Sequence, residues 1–366
     1  MVPAALPFWL PLTLLIPLGI GAGLGGWWML TIPIYAWIVI SVLDQIIGLN
    51  EDNPDPNATD SLFWHKLVTW VWAPLQPVVI FTCLWIASRT MGTGEAFGLM
   101  AACGVLTGTI GINFAHELIH RPGRIESSLG DLLLVSVLYG HFRSEHVLVH
   151  HRYVGTPRDP VTARYNEGFW RFFPRVLWQQ VASAWAVEAE RLRRKDRPFW
   201  HRANPFWIYF GGGLAFLAVA WLLAGWFGMA LFVTQAFVAI LHLELVNYVE
   251  HYGLTRKHLG DGKYEHVKPR HSWNASHRWT NWLLINLQRH SDHHYKPDRR
   301  FPLLQTYTEE EAPQLPFGYP LMILIAGNPL LWRRMMNPRV RAWRQRFYPE
   351  IEDWTPYKTG MLPVPR

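Results

Sequence analysis

The chain has 366 residues, half of them hydrophobic and only 17% charged, with 21 tryptophans; an average soluble domain carries about 25% charged residues. Two cysteines, Cys83 and Cys103, both inside apolar runs, exclude a disulfide framework and any iron–sulfur cluster held by cysteines of this chain. The composition is that of a membrane protein, and its net charge of +7 reads first as positive-inside topology, with no nucleic-acid partner.

The opening "MVPAALPFWL" has no positively charged n-region, so residue 7 begins a transmembrane helix rather than a cleaved signal. About 20 apolar residues cross a bilayer. Six such stretches are expected, at 7–26, 27–46, 66–88, 95–115, 205–226 and 227–250, paired into hairpins by "GAGLGG", "RTMGTG" and "AGWFG". This gives an all-α integral membrane protein, one domain over 1–366, whose 47–65 loop, 116–204 segment and 251–366 tail share one side. Residues 116–204 hold 14 Lys and Arg and 251–366 hold 18, while Arg89 alone faces the other side. The long arms therefore form a cytoplasmic helical cap on an inner, cytoplasmic membrane. Within the cap, 131–151 reads as one helix. Residues 168–195, with Trp170, Phe172, Phe173, Trp178 and Trp185 before "RLRRK", read as an amphipathic helix at the membrane interface. The apolar stretch 315–332, broken by Gly327 and Pro329, reads as interfacial rather than as a seventh span.

The 17 histidines are clustered. "HELIH" gives His116 and His120, "EHVLVHH" gives His146, His150 and His151, "QRHSDHH" gives His290, His293 and His294, and His251 closes the last span. Each cluster has i, i+3 or i, i+4 spacing, which shares a helical face. Nine imidazoles suit two metals with four or five ligands each. Without thiolates they suit iron better than a zinc ribbon or blue copper. "HELIH" alone is also the HExxH of a zinc protease, with Glu117 as base, but that reading uses two histidines and leaves most of the set idle. Only one ExxH is present, so a carboxylate-bridged di-iron bundle does not fit. His65, His141, His201, His242, His258, His266, His271 and His277 read as non-ligands.

The pattern resembles the membrane-bound alkane monooxygenases, within the integral-membrane desaturase and hydroxylase superfamily. Its HX₃H, HX₂₋₃HH and HX₂HH boxes match the three clusters, and "NYVEHYGL" (247–254) is similar to the HYG motif of the hydroxylase branch. "LQRHSDHH" and "YEHVKPRHSWN" (264–274) match it too, and the likeness spans about 30–345. Ile119, where the best-studied branch has Gly, and "DRRFPLLQ" depart from it. The resemblance implies a di-iron enzyme, with no haem or flavin, that uses O₂ to convert the terminal methyl group of an n-alkane to a primary alcohol. It implies electrons from a separate rubredoxin, fed by an NAD(P)H-dependent rubredoxin reductase; an acidic rubredoxin would suit the basic face. Methyl groups on aromatics such as xylene are the alternative substrate, and a non-catalytic metal-binding protein the alternative class.

Ligating histidines usually donate their second N–H to a carboxylate or carbonyl. The candidates are Glu117, Glu145, Glu250, Asp292 and Asp159, with acids expected at 159 and 250 from the resemblance. Glu244, Asn247 and His251 share one helical face, and a charge inside a span is costly and usually functional. Helical spacing back from His116 selects Asn113, Ile112 and Thr109 to line a substrate channel open to membrane lipid. Trp37 resembles an aromatic that limits chain length in the family.

Overall fold

The computed structural model describes residues 2–58 and 62–359. Five of the described helices are long and apolar enough to cross a membrane: Leu6–Leu24, Gly26–Ile47, Phe63–Thr90, Thr93–Ile119 and Phe206–His251. The last is interrupted where the sequence places its third hairpin turn. Ala224 and Gly225 leave helical geometry, Gly225 at φ +58, a conformation that costs glycine little. Phe216 and Phe232, on opposite sides of this break, stack with centroids 6.0 Å apart, so the two halves fold back on each other.

The fourth helix is the centre of the bundle. It runs four residues beyond its expected end and carries "HELI" inside the protein. Gly104 and Gly108 let it approach the 206–251 helix closely: a Cβ on Gly104 would stand 2.6 Å from the Gln235 carbonyl, and one on Gly108 would stand 3.1 Å from the Ala239 Cα. Small residues at this spacing permit backbone contact between membrane helices. Gln235 Nε2 adds a 2.7 Å hydrogen bond to Thr107 Oγ1 across the same seam.

The segments expected on one side do meet there. Asn50 N donates to Ser276 O at 2.7 Å, and the Asp44 carboxylate accepts from Thr280 N at 2.9 Å, which ties the end of the second helix to the tail. One expectation needs correction. The single helix over 131–151 is two pieces, Arg124–Val135 and 142–153. Leu138 takes φ +56, and the Tyr209 ring fills the space where a Gly140 side chain would lie. The stretch 315–332 supplies no candidate span among the described residues, and its Leu324, Leu330 and Leu331 are exposed. Tyr319–Ala326 packs inward, with Met322 and Ala326 fully buried, and Asn328 starts a new helix, Pro329–Phe347, by accepting from Leu330 N and Leu331 N. In the 169–193 helix Phe172 and Phe173 point inward while Trp170, Trp178 and Trp185 stay exposed.

Gly104→Val places methyl groups against the Gln235 backbone. We predict a loss of about 1–3 kcal/mol, the range for overpacking, seen as a lower melting temperature of the detergent-solubilised protein; an unchanged melting temperature would show that the two helices can separate freely.

Candidate metal site and its cavity

A widened turn sets the geometry of the site. Residues 146–150 adopt π-helical geometry, in which residues five apart come together. On an α-helix they would point about 140° apart. His146 and His151 therefore face the same centre, with their Nε2 atoms 3.0 Å apart, while His150 between them turns to another. The third cluster divides in the same way on the short helix His290–Tyr295.

All nine clustered histidines converge, and they form two groups. His116, His120, His146, His151 and His293 make one; His150, His251, His290 and His294 make the other, and within each group the ligand-capable nitrogens lie within 4.8 Å of one another. In the first, His146 Nε2 is 3.0 Å from His120 Nε2, and His151 Nε2 is 3.0 Å from His293 Nε2. In the second, His290 Nε2 lies 3.2 Å from His251 Nε2 and 3.0 Å from His294 Nε2. Hydrogen bonding does not explain this. One imidazole nitrogen carries either a proton or a lone pair, so His146 Nε2 cannot satisfy His120 and His151 together. A metal does explain it: two nitrogens about 2.1 Å from one ion and at right angles are about 3.0 Å apart.

The surroundings of six of the donors favour the neutral ring. Burial first, and then the neighbouring rings, hold His120, His146, His151, His290, His293 and His294 well below the usual imidazole range. Neutral rings offer lone pairs. The buried acids separate into two kinds. Glu117 pairs with Arg121 at 2.9 Å and Asp292 with Arg299 at 2.6 Å, so both are already neutralised. Among the described residues, no Lys or Arg forms an ion pair or hydrogen bond with the carboxylates of Glu145, Asp159, Glu244 and Glu250. Asp159 Oδ2 takes the Nδ1 proton of His150 at 3.0 Å, which leaves His150 Nε2 buried and unpartnered at the centre. Glu244 accepts from Tyr139, Gln180 and Asn247. The Glu145 carboxyl oxygens have no hydrogen-bond partner, and burial together with Asp159 and Glu244 pushes the carboxyl well up. To be ionised, carboxyls buried in this way require a counter-charge. Two metal cations among the rings would supply it, and the donor set fits them.

Against these rings lies a mostly apolar cavity. His116, His146, His290 and Glu250 stand in its wall with the four positions expected of a channel, Trp37, Thr109, Ile112 and Asn113. Three of these positions, Trp37, Thr109 and Ile112, fall on further π turns, Ile34–Val39 and Thr107–Ile112. The wall also includes Asn247, another sequence candidate, and residues that sequence reasoning missed, among them Phe142, Leu283, Leu287, Tyr319, Ile323 and His242. His242 joins no histidine group. Its Nε2 accepts from Trp37 Nε1 at 3.2 Å, so the neutral ring carries its proton on Nδ1, 3.3 Å from Thr109 Oγ1.

If the rings divide as described, two single substitutions in different groups remove different metals. His146→Ala and His150→Ala should each lower metal content, measured by plasma mass spectrometry, from two toward one per chain. The double variant His146→Ala/His150→Ala should hold almost none, whereas His150→Ala/His290→Ala should keep one. Equal loss in both doubles would contradict the division.

The fatty acid desaturase family model matches residues 95–326. The chain is similar to alkane 1-monooxygenase 2 of Pseudomonas aeruginosa, 38% identical over 88% of this chain and 90% of the relative. It is also similar to alkane 1-monooxygenase 2 of Alcanivorax borkumensis, 36% identical over 92% and 90%. The xylene/toluene monooxygenase hydroxylase component of Pseudomonas putida is 28% identical over 69% of this chain and 67% of that one.

Proposed function

We infer the function from this kinship and from the site: the chain belongs to the fatty acid desaturase family, among the alkane 1-monooxygenases. We propose that it hydroxylates the terminal methyl group of n-alkanes at a nine-histidine di-iron centre. The observation that carries this reading is the apolar cavity ending on members of both histidine groups. When bound, the irons supply the redox chemistry by which O₂, two electrons and two protons yield one alcohol and one water.

The protein's own residues do the rest. Ile112, Leu283, Leu287 and Ile323 enclose an apolar chain and exclude water. His116, His146 and His290 stand where its end would rest, which fixes the reacting carbon by position rather than by a functional group. Thr109 lies seven residues behind His116, about 10 Å along the helix, and there the hydrogen-bonded Trp37–His242 pair bounds the cavity. Asp159 holds His150 in one tautomer, and Glu145 and Glu244 balance the metal charge.

The two cysteines, Cys83 and Cys103, are buried in helices, so electrons come from a separate protein. Rubredoxin with its NAD(P)H-dependent reductase is the proposed donor, docking on the basic cap. Counting the halves of the 206–251 helix separately gives six spans, with the cap on the cytoplasmic side of the inner membrane. The zinc-protease reading has less support, because Arg121 holds the Glu117 carboxylate at 2.9 Å.

Membranes supplied with rubredoxin, its reductase and NADH, and offered octane, hexadecane and p-xylene together, test the proposal by gas chromatography. Primary alkanols are expected; methylbenzyl alcohol alone would move the substrate to aromatic methyl groups, and no product would refute the oxygenase. In the same assay Trp37→Ser should shift products toward longer chains, and an unchanged profile would remove Trp37 from the cavity's role.

A further inference from the structure

The two histidine groups are unequal, five rings against four, and the smaller has a carboxylate beside it. Glu250 Oε2 lies 3.3 Å from His290 Nε2. That nitrogen is the one through which His290 meets His251 and His294, at 3.2 and 3.0 Å. The carboxylate therefore stands beside the same His290 nitrogen as those two rings, although it lies outside the 4.8 Å limit within which the four rings of this group all meet. Asp159 differs: it touches His150 on Nδ1, the far nitrogen, as an orienting acid does. Glu250 is 2% exposed, and the charged side chain within ion-pair distance of it is His290. It also lines the cavity.

We propose that Glu250 is a direct metal ligand, the fifth donor of the His150, His251, His290 and His294 centre, rather than an acid supporting a histidine from behind. The two centres then carry five protein ligands each, one all-imidazole and one with an oxygen donor. A carboxylate also brings a negative charge into contact with one ion and not the other, so the centres are electronically distinct. Tyr319, packed against the Glu250 carboxyl, positions it. This rests on the two-metal reading above.

The test is Mössbauer spectroscopy of the full-length protein loaded with ⁵⁷Fe, with iron counted per chain. The unsubstituted protein should hold two irons and show two ferrous doublets. Glu250→Gln should change one doublet and lower the affinity of that site at least tenfold, while the other doublet stays as it was. Asp159→Asn, which acts through a histidine, should leave both doublets in place. If Glu250→Gln does not accumulate, Glu250→Asp, which withdraws the oxygen by one methylene, should alter the same doublet. Two unshifted doublets with full iron in either Glu250 variant would overturn the assignment. Fewer than two irons in the unsubstituted protein would instead overturn the two-metal reading itself.

Discussion

One turn of helix decides how the site is divided. In the widened 146–150 turn, His146 and His151 share a centre and His150 leaves it. Without that widening the same sequence would present its doublet to two directions with no partner set for either. The neighbouring elements match this division. The 93–119 helix delivers His116 and His120 to one group, the 206–251 helix delivers His251 to the other, and the 290–295 helix serves both. Bringing the first two together requires the close contact at Gly104 and Gly108, so a feature of membrane-helix packing fixes the distance between the metal-facing ends.

Charge constrains the site as strongly as shape does. Burying four carboxylates without arginine or lysine partners is expensive, and neutral imidazoles do not offset them. The arginines that are near, Arg121 and Arg299, are spent on Glu117 and Asp292. The arrangement favours cations inside the ring set and makes metal loading part of what stabilises the cap against the bundle. It also keeps the cavity apolar: the charged groups sit behind or beside the rings, while hydrocarbon side chains line the rest of the wall.

Much of this was legible in the sequence, for physical reasons. A span announces itself by the length of its apolar run, so helix positions agree to within a few residues, and the break at Ala224–Gly225 falls on a turn that glycine marks. Histidine clusters are legible because the metal needs one residue type at helical spacing, and Thr109, Ile112 and Asn113 follow from the same periodicity. What was not legible depends on the backbone or on distant segments. A π turn leaves no signature in composition, so the partition of "HVLVHH" between two centres was hidden. Leu283, Leu287, Tyr319 and Ile323 reach the cavity from the tail by tertiary packing alone. Arg121, four residues after Glu117, was a readable i, i+4 partner; Arg299 could be matched to Asp292 only in the folded chain.

The most direct test of the account is to locate the metals in the folded protein. An anomalous difference map from crystals of the iron-loaded chain, recorded at the iron absorption edge, should show two peaks. One should lie among His116, His120, His146, His151 and His293, and the other among His150, His251, His290 and His294. A single peak, or two peaks within one group of rings, would contradict the account.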